Sequence, residues 1–325
     1  MPLTTSSLTV RLGSVEDVET YQVRTTPPPE HDALPFTVGP CILGYRLSDH
    51  ADDLREYPDG TWISQYCHRA NLHSYFRGEA PEDEMDQFRD GQTDFCTDGT
   101  LPNDTRTVVG RLRGTSWLFK VKSTGKALPI VITETGYSFE DPGEDGVPTD
   151  VGETYIVRAC LEYFRIGIAR FYFFQLYDDQ GEHYGMFNPP PATGISPRGV
   201  ATGLHKLTGM IRDTGANRAT FTTTPLTMDV TGPSGKRLRW QLFQKSDMSW
   251  WLALWRPDSI WSRKTRQRLT LTPARIDATV SFNSARRAVV FPDMETDTPS
   301  GGDDLGSKTS HTISVGSRVT WVKIT

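Results

Sequence analysis

Residues 127–138 read ALPIVITETGYS. An apolar, largely β-branched run from Leu128 to Ile132 stops at a carboxylate, Glu134, with Gly136 two residues on. A run this short and this apolar is a strand buried on both faces, as in a parallel sheet, rather than a half-exposed strand with alternating polarity. A charge at the end of such a strand calls for a reason. In parallel α/β sheets the carboxyl ends of the strands face the ligand cleft, where a carboxylate keeps contact with water. The competing reading is a strand-end glutamate that caps a helix or pairs with an arginine.

Working outward, Phe36 to Tyr45, Arg69 to Tyr75 and Arg170 to Tyr177 have the same short, apolar, β-rich character. Between and after them lie helical patterns. Val151 to Phe164 carries apolar residues at 156, 157, 160, 161 and 164, and Pro197 to Asp213 shows similar spacing. Strands alternating with helices imply a parallel sheet, because parallel neighbours need crossover connections. From about Thr220 the helical spacing disappears. Leu238–Lys245, Met248–Arg256, Gln267–Leu271, Asp277–Phe282, Arg287–Phe291 and Ser314–Ile324 read as short strands between turn signals, the pattern of an antiparallel β-sandwich. Two domains are expected, at 1–215 and 216–325. The alternation in Met248–Arg256 puts Trp251 and Trp255 on one face, which predicts sandwich core over a sugar-stacking platform. The polar, acidic stretch 293–310 reads as a long solvated hairpin loop, with calcium binding as the alternative.

Composition narrows the function. The chain has 325 residues, 36% of them hydrophobic and 10% aromatic, enough for real cores and too rich in aromatics for disorder. Forty acidic against 35 basic residues give a net charge of −5, so no overall positive field favours nucleic acid or anionic lipid, and neither partner is expected. Arg263, Lys264, Arg266 and Arg268 read as a solvated edge strand. No apolar run suits a ~30 Å hydrocarbon layer, and no basic segment followed by an apolar one marks a signal peptide. Cys41, Cys67, Cys96 and Cys160 contain no CxxC, and neither a phosphate loop, a GxSxG elbow nor an HExxH motif occurs. No metal and no cofactor is expected.

The motif Val131–Gly136 resembles the seventh strand of the retaining glycoside hydrolases of clan A, whose catalytic domain is a (β/α)8 barrel. The order of the neighbouring segments agrees. Leu72-His73-Ser74-Tyr75, with GEAPE at 78–82 after it, is similar to the sixth strand and its loop. Ala169 to Asp178 is similar to the eighth strand, and the segment after 216 to the β-sandwich appended in several families of the group. The resemblance implies hydrolysis of an O-glycosidic bond in a polysaccharide or glycoconjugate, an extracellular location, and Glu134 as nucleophile. His73 and Tyr75 would stand beside Glu134; Gln175, His183 and Tyr184 would line the sugar cleft. A retaining mechanism needs a second carboxylate about 5–5.5 Å from the first. The group carries it in an Asn-Glu pair on the fourth strand, and this sequence has no Asn-Glu dipeptide. Glu16, after a segment readable as a decayed fourth strand (Ser6–Glu16), is the candidate acid/base. The expected architecture is thus the fifth to eighth strands of a barrel plus a sandwich, with its open edges completed by a second copy or a partner chain. The rival function is a non-catalytic carbohydrate-binding or structural protein of a virion or cell surface, derived from such an enzyme.

Overall fold

A computed structural model of the chain describes residues 8–12, 20–23, 55, 60–92, 94–97, 107–139, 145–168, 170–178, 181–188, 194–294 and 301–325. The predicted strand Phe36–Tyr45, Cys41 and Glu16 lie outside them.

Strands β1 (Leu8–Leu12) and β2 (Thr20–Val23) form an antiparallel pair. They are followed by β3 (Ala70–Tyr75), the short helix α1 (Pro81–Met85), α2 (Val108–Leu118), β4 (Ile130–Gly136), α3 (Thr149–Arg165) and β5 (Arg170–Phe173). β3, β4 and β5 make a parallel sheet in that order, with Ala70 opposite Ile130, Tyr75 opposite Gly136, and Thr135 opposite Phe173. Successive side chains of a strand point to opposite faces. Ala70 and Leu72 of β3 and Ile130 and Ile132 of β4 enter one core with Leu112 of α2 and Tyr155, Ala159 and Tyr163 of α3. Asn71, His73 and Tyr75 therefore project from the other face, and a register shift in β4 after Ile132 brings Glu134 there while Thr135 bonds Tyr163 on the helix side.

Helix α2 has no counterpart in the sequence reading. Its sequence, VVGRLRGTSWL, has two glycines and little amphipathic contrast. Nine of its 11 residues are buried, so tertiary packing rather than local pattern makes it a helix. Thr107 caps its start, accepting from the Gly110 amide at 3.0 Å. Helix α4 (Gly199–Ile211) packs on α3, where Gly203 lets the backbones approach: a Cβ there would stand 2.8 Å from the Glu153 carbonyl oxygen.

The rest of the chain forms β6 (Met228–Thr231), β7 (Arg239–Gln244), β8 (Trp250–Trp255), β9 (Ile276–Phe291), β10 (Asp303–Val315) and β11 (Thr320–Ile324). They join one antiparallel sheet in the order β10-β9-β11-β8-β7-β1-β2, with β6 also on β9. β9 spans both Asp277–Phe282 and Arg287–Phe291, read above as separate strands. It pairs with β6 over 279–282 and with β11 over 288–291, and it shifts register against β10 between them. The sheet thereby curls around Leu252, Leu254, Val280, Ile313 and Val322.

Three sequence expectations change here. The stretch 293–310 is not one solvated loop, because residues from Asp303 onward are strand β10, registered against β9 by pairs such as Val290 with Asp303 and Arg286 with Lys308. Trp251 and Trp255 share a face, but that face packs with the parallel-sheet core, while Leu252 and Leu254 point into the curled sheet; β8 is buried on both sides. Lastly, β1 pairs with β7, Arg11 opposite Leu242, so Leu8–Leu12, inside the segment read as a decayed fourth barrel strand, lies in the antiparallel sheet.

A buried ionic knot fastens the parallel-sheet layer to the antiparallel sheet. Arg158 of α3, wholly buried, pairs through Nη2 with Glu82 Oε2 and donates from Nε to Glu82 Oε1 at 2.7 Å. Trp255 Nε1 donates to the same Oε1 at 2.6 Å. Arg158 Nη1 reaches the Asp258 carbonyl at 3.2 Å.

Candidate active site

Glu134 emerges at the carboxyl end of β4 with its side chain about one-third exposed. β3 supplies its partners. Tyr75 Oη donates to Glu134 Oε2 at 2.9 Å, and His73 Nδ1 stands 3.0 Å from the same oxygen. Residues two apart on one strand thus converge on one carboxylate oxygen, a consequence of the parallel register that sets His73 opposite Glu134. Oε1 takes no hydrogen bond among the described residues. The His73 carbonyl is itself held by Arg111 Nη1 at 3.0 Å.

Burial, then the hydrogen bond to Glu134 and that carboxylate's charge, push the Tyr75 phenol far above its usual range. Tyr75 is therefore a permanent donor, and its geometry is set by rings on either side. The Tyr184 ring meets it edge-on at 5.1 Å between centroids and Phe174 at 6.5 Å. Gly136 makes this packing feasible: a Cβ there would lie 2.6 Å from the Phe174 carbonyl oxygen and 3.5 Å from Tyr184 Cδ1. The Phe174–Gln175 peptide is cis.

The segment 182–187 is bonded to the residues that follow β4 and β5. The Gln175 amide donates to the Tyr184 carbonyl at 3.2 Å, the Met186 amide to the Gln175 carbonyl at 2.8 Å, and the Phe139 amide to the His183 carbonyl at 2.7 Å. Asp178 holds this loop, accepting from the Gly185 amide at 2.7 Å and from Arg198 Nη1 and Nη2 at 2.9 and 2.6 Å. Burial raises the Asp178 carboxyl, but Arg198 and the Gly185 amide outweigh it and leave it below the usual carboxylate range.

Of the residues singled out from sequence, the structure gathers His73 and Tyr75 directly on Glu134, and Tyr184 against Tyr75. Gln175 stands one step further out, its amide 3.5 Å from Glu182 Oε2. His183 faces Asp178 at 3.9 Å instead of Glu134. The Arg263–Arg268 cluster is engaged in ion pairs, Arg263 with Asp145 at 2.8 Å and Arg268 with Asp150. Cys67 and Cys160 are free thiols. Among the described residues no group of three His, Cys, Asp or Glu side chains is placed to hold a metal ion, and no helix is long and apolar enough to cross a membrane. Phe174, Asp178 and Arg198 were not anticipated as parts of the site's framework; Asp178 and Arg198 lie 20 residues apart with no motif to join them.

No family model and no curated protein matches the sequence. The chain is similar to parts of several solved structures of glycoside hydrolases. The catalytic domain of the GH30 xylanase C from Talaromyces cellulolyticus has 9% identity and a TM-score of 0.35, covering 61% of this chain and 41% of that one. A family 39 glycoside hydrolase from Bacteroides cellulosilyticus has 12% identity and a TM-score of 0.39, covering 81% and 45%. The GH51 arabinofuranosidase from Xanthomonas axonopodis pv. citri has 10% identity and a TM-score of 0.42, covering 89% and 57%. The chain thus spans about half the length of the structures it matches.

Proposed function

We propose that this chain carries a glycosidase-type site of the retaining kind, with Glu134 as nucleophile toward an O-glycosidic bond in a polysaccharide or glycoconjugate. The observation that supports it is the Glu134 carboxylate at the end of a parallel strand, held at Oε2 by Tyr75 and His73, with no hydrogen bond to Oε1 among the described residues. Two donors on one oxygen fix the carboxylate plane and leave the other oxygen to form a bond to an anomeric carbon. In this reading β3, β4 and β5 stand for the sixth, seventh and eighth strands of a barrel, and the strands after 216 for an appended sandwich. A second copy or a partner chain completes the sheet, and Tyr75, Tyr184 and Gln175 border the sugar. The Glu134→Gln variant tests it: turnover of activated aryl glycosides should disappear, since the amide keeps shape but cannot attack.

The second reading, a carbohydrate-binding or structural protein without turnover, is favoured by one observation: the absence of an Asn-Glu dipeptide to end a fourth strand. Full retention of glycosidase activity in Glu134→Gln would dismiss the nucleophile. Absence of activity with saturable sugar binding would favour this second reading.

A further inference from the structure

A retaining site with Glu134 as nucleophile requires a second carboxyl group, and the carboxylates at this end of the parallel sheet differ sharply in their engagement. Asp178 has both oxygens occupied by Arg198 and the Gly185 amide. Glu79, in the loop after β3, has Arg263, Asp83 and Asp145 as its charged neighbours, and burial pushes its carboxyl up. Those partners lie toward the antiparallel sheet, where Asp83 meets Arg237 and Ser259. Glu182 is placed differently. Carbonyls and amides of residues 183–187 are bonded to Phe139 on one side and to Gln175 and Leu176 on the other. Two residues after Glu182, Tyr184 turns its ring onto Tyr75, the donor to Glu134. Gln175 Nε2 stands 3.5 Å from Glu182 Oε2. The negative charge of Glu182 also reaches the Tyr75 phenol, as the charge of Glu134 does.

We propose that Glu182 is the second carboxylate of this site, delivered by the loop after β5 in place of the absent Asn-Glu glutamate. The inference rests on the reading of Glu134 as nucleophile. In the first step a Glu134 oxygen bonds to the anomeric carbon, the bond from that carbon to the leaving oxygen breaks, and the Glu182 carboxyl gives its proton to that oxygen. In the second step water bonds to the anomeric carbon, passes a proton to the Glu182 carboxylate, and Glu134 departs as carboxylate.

The experiment uses the full chain and its Glu182→Gln variant. The probes are 2,4-dinitrophenyl 2-deoxy-2-fluoro glycosides of β-xylose, β-glucose and α-L-arabinofuranose, followed by the unfluorinated dinitrophenyl and phenyl glycosides of whichever sugar reacts. A fluorosugar with so good a leaving group needs no acid, so both proteins should acquire one glycosyl label on the Glu134 peptide, which also reports an assembled site. With phenyl glycoside, Glu182→Gln should lose roughly 100-fold or more in kcat/KM, the scale of general acid catalysis. With dinitrophenyl glycoside the same constant should stay within about threefold of the parent's, and azide should raise the variant's kcat and yield glycosyl azide. Normal labelling with an undiminished phenyl glycoside rate would overturn the role of Glu182 and leave Glu134 standing. Absence of label on Glu134 in both proteins would overturn both assignments.

Discussion

Replacing Arg158 by methionine tests what holds the two sheets together. Arg158 and Glu82 are both wholly buried, and Arg158 supplies two of the three side-chain donors that satisfy Glu82, the third being Trp255 Nε1. Burial depresses the guanidinium's proton affinity, yet the neighbouring carboxylate more than restores it, so Arg158 stays charged in the folded protein. Methionine fills the volume but leaves the Glu82 carboxylate in the core with a single N–H donor. Removing one partner of a buried ion pair costs about 3–5 kcal/mol, whereas removing both together costs far less. At about 2 °C per kcal/mol for a chain at the large end of the range, the melting temperature should fall by roughly 6–10 °C. Thermal unfolding followed by tryptophan fluorescence is suitable, because Trp255 belongs to the knot. Adding Glu82→Gln removes the stranded charge while keeping an acceptor for Trp255, and it should recover at least half of the loss. A fall below about 2 °C for Arg158→Met, smaller than a single lost kcal/mol implies, would refute the argument. So would a double variant less stable than the single one.

Three further outcomes follow from the site. Tyr75→Phe removes the 2.9 Å donor to Glu134; a hydrogen bond to a charged group is worth about 1.5–3 kcal/mol, so the rate of fluorosugar labelling of Glu134 should fall roughly 10- to 150-fold. Gly136→Ala drives a Cβ to within 2.6 Å of the Phe174 carbonyl and should destabilise by about 1–3 kcal/mol as overpacking, read as a lower urea midpoint. Asp178 has its carboxyl held below the usual range by Arg198 and the Gly185 amide. Its stabilisation is therefore complete above the unfolded value near 4 and is lost as pH falls through the lower folded value. Asp178→Asn lacks that term, so the stability gap between parent and variant, measured by urea titration, should narrow from about pH 5 to pH 3.

The candidate site was legible where chemistry and position coincide on one short segment. A charge at the end of the apolar run Leu128–Ile132 marked Glu134, and the alternation of a single strand was enough to send His73 and Tyr75 to the same side. Helices α3 and α4 were legible for the same reason, since one amphipathic stripe along each records which face is buried. Helix α2 was not, because burial nearly all round erases the contrast that periodicity needs, and only its neighbours in the core show why it is helical.

Pairings between distant segments escaped the sequence altogether. β10 alternates only from His311 on and is exposed before it, so its first half looks like loop until β9 supplies the hydrogen-bonding partner. The tryptophans of β8 could be assigned to one face, but which core that face meets depended on the helices of another layer. Glu182 carries no local mark at all: a glutamate in a polar loop acquires meaning only when Gln175 stands beside it and its neighbour Tyr184 packs on Tyr75. Local sequence by itself determined the character of β3, β4, α3 and α4 and the shared side of His73 and Tyr75, because those follow from backbone periodicity, whereas the side taken by Glu134 needed the register shift after Ile132. Tertiary structure alone decided which strands adjoin, which face each core receives and which charges meet, because those depend on contacts between residues far apart in the chain.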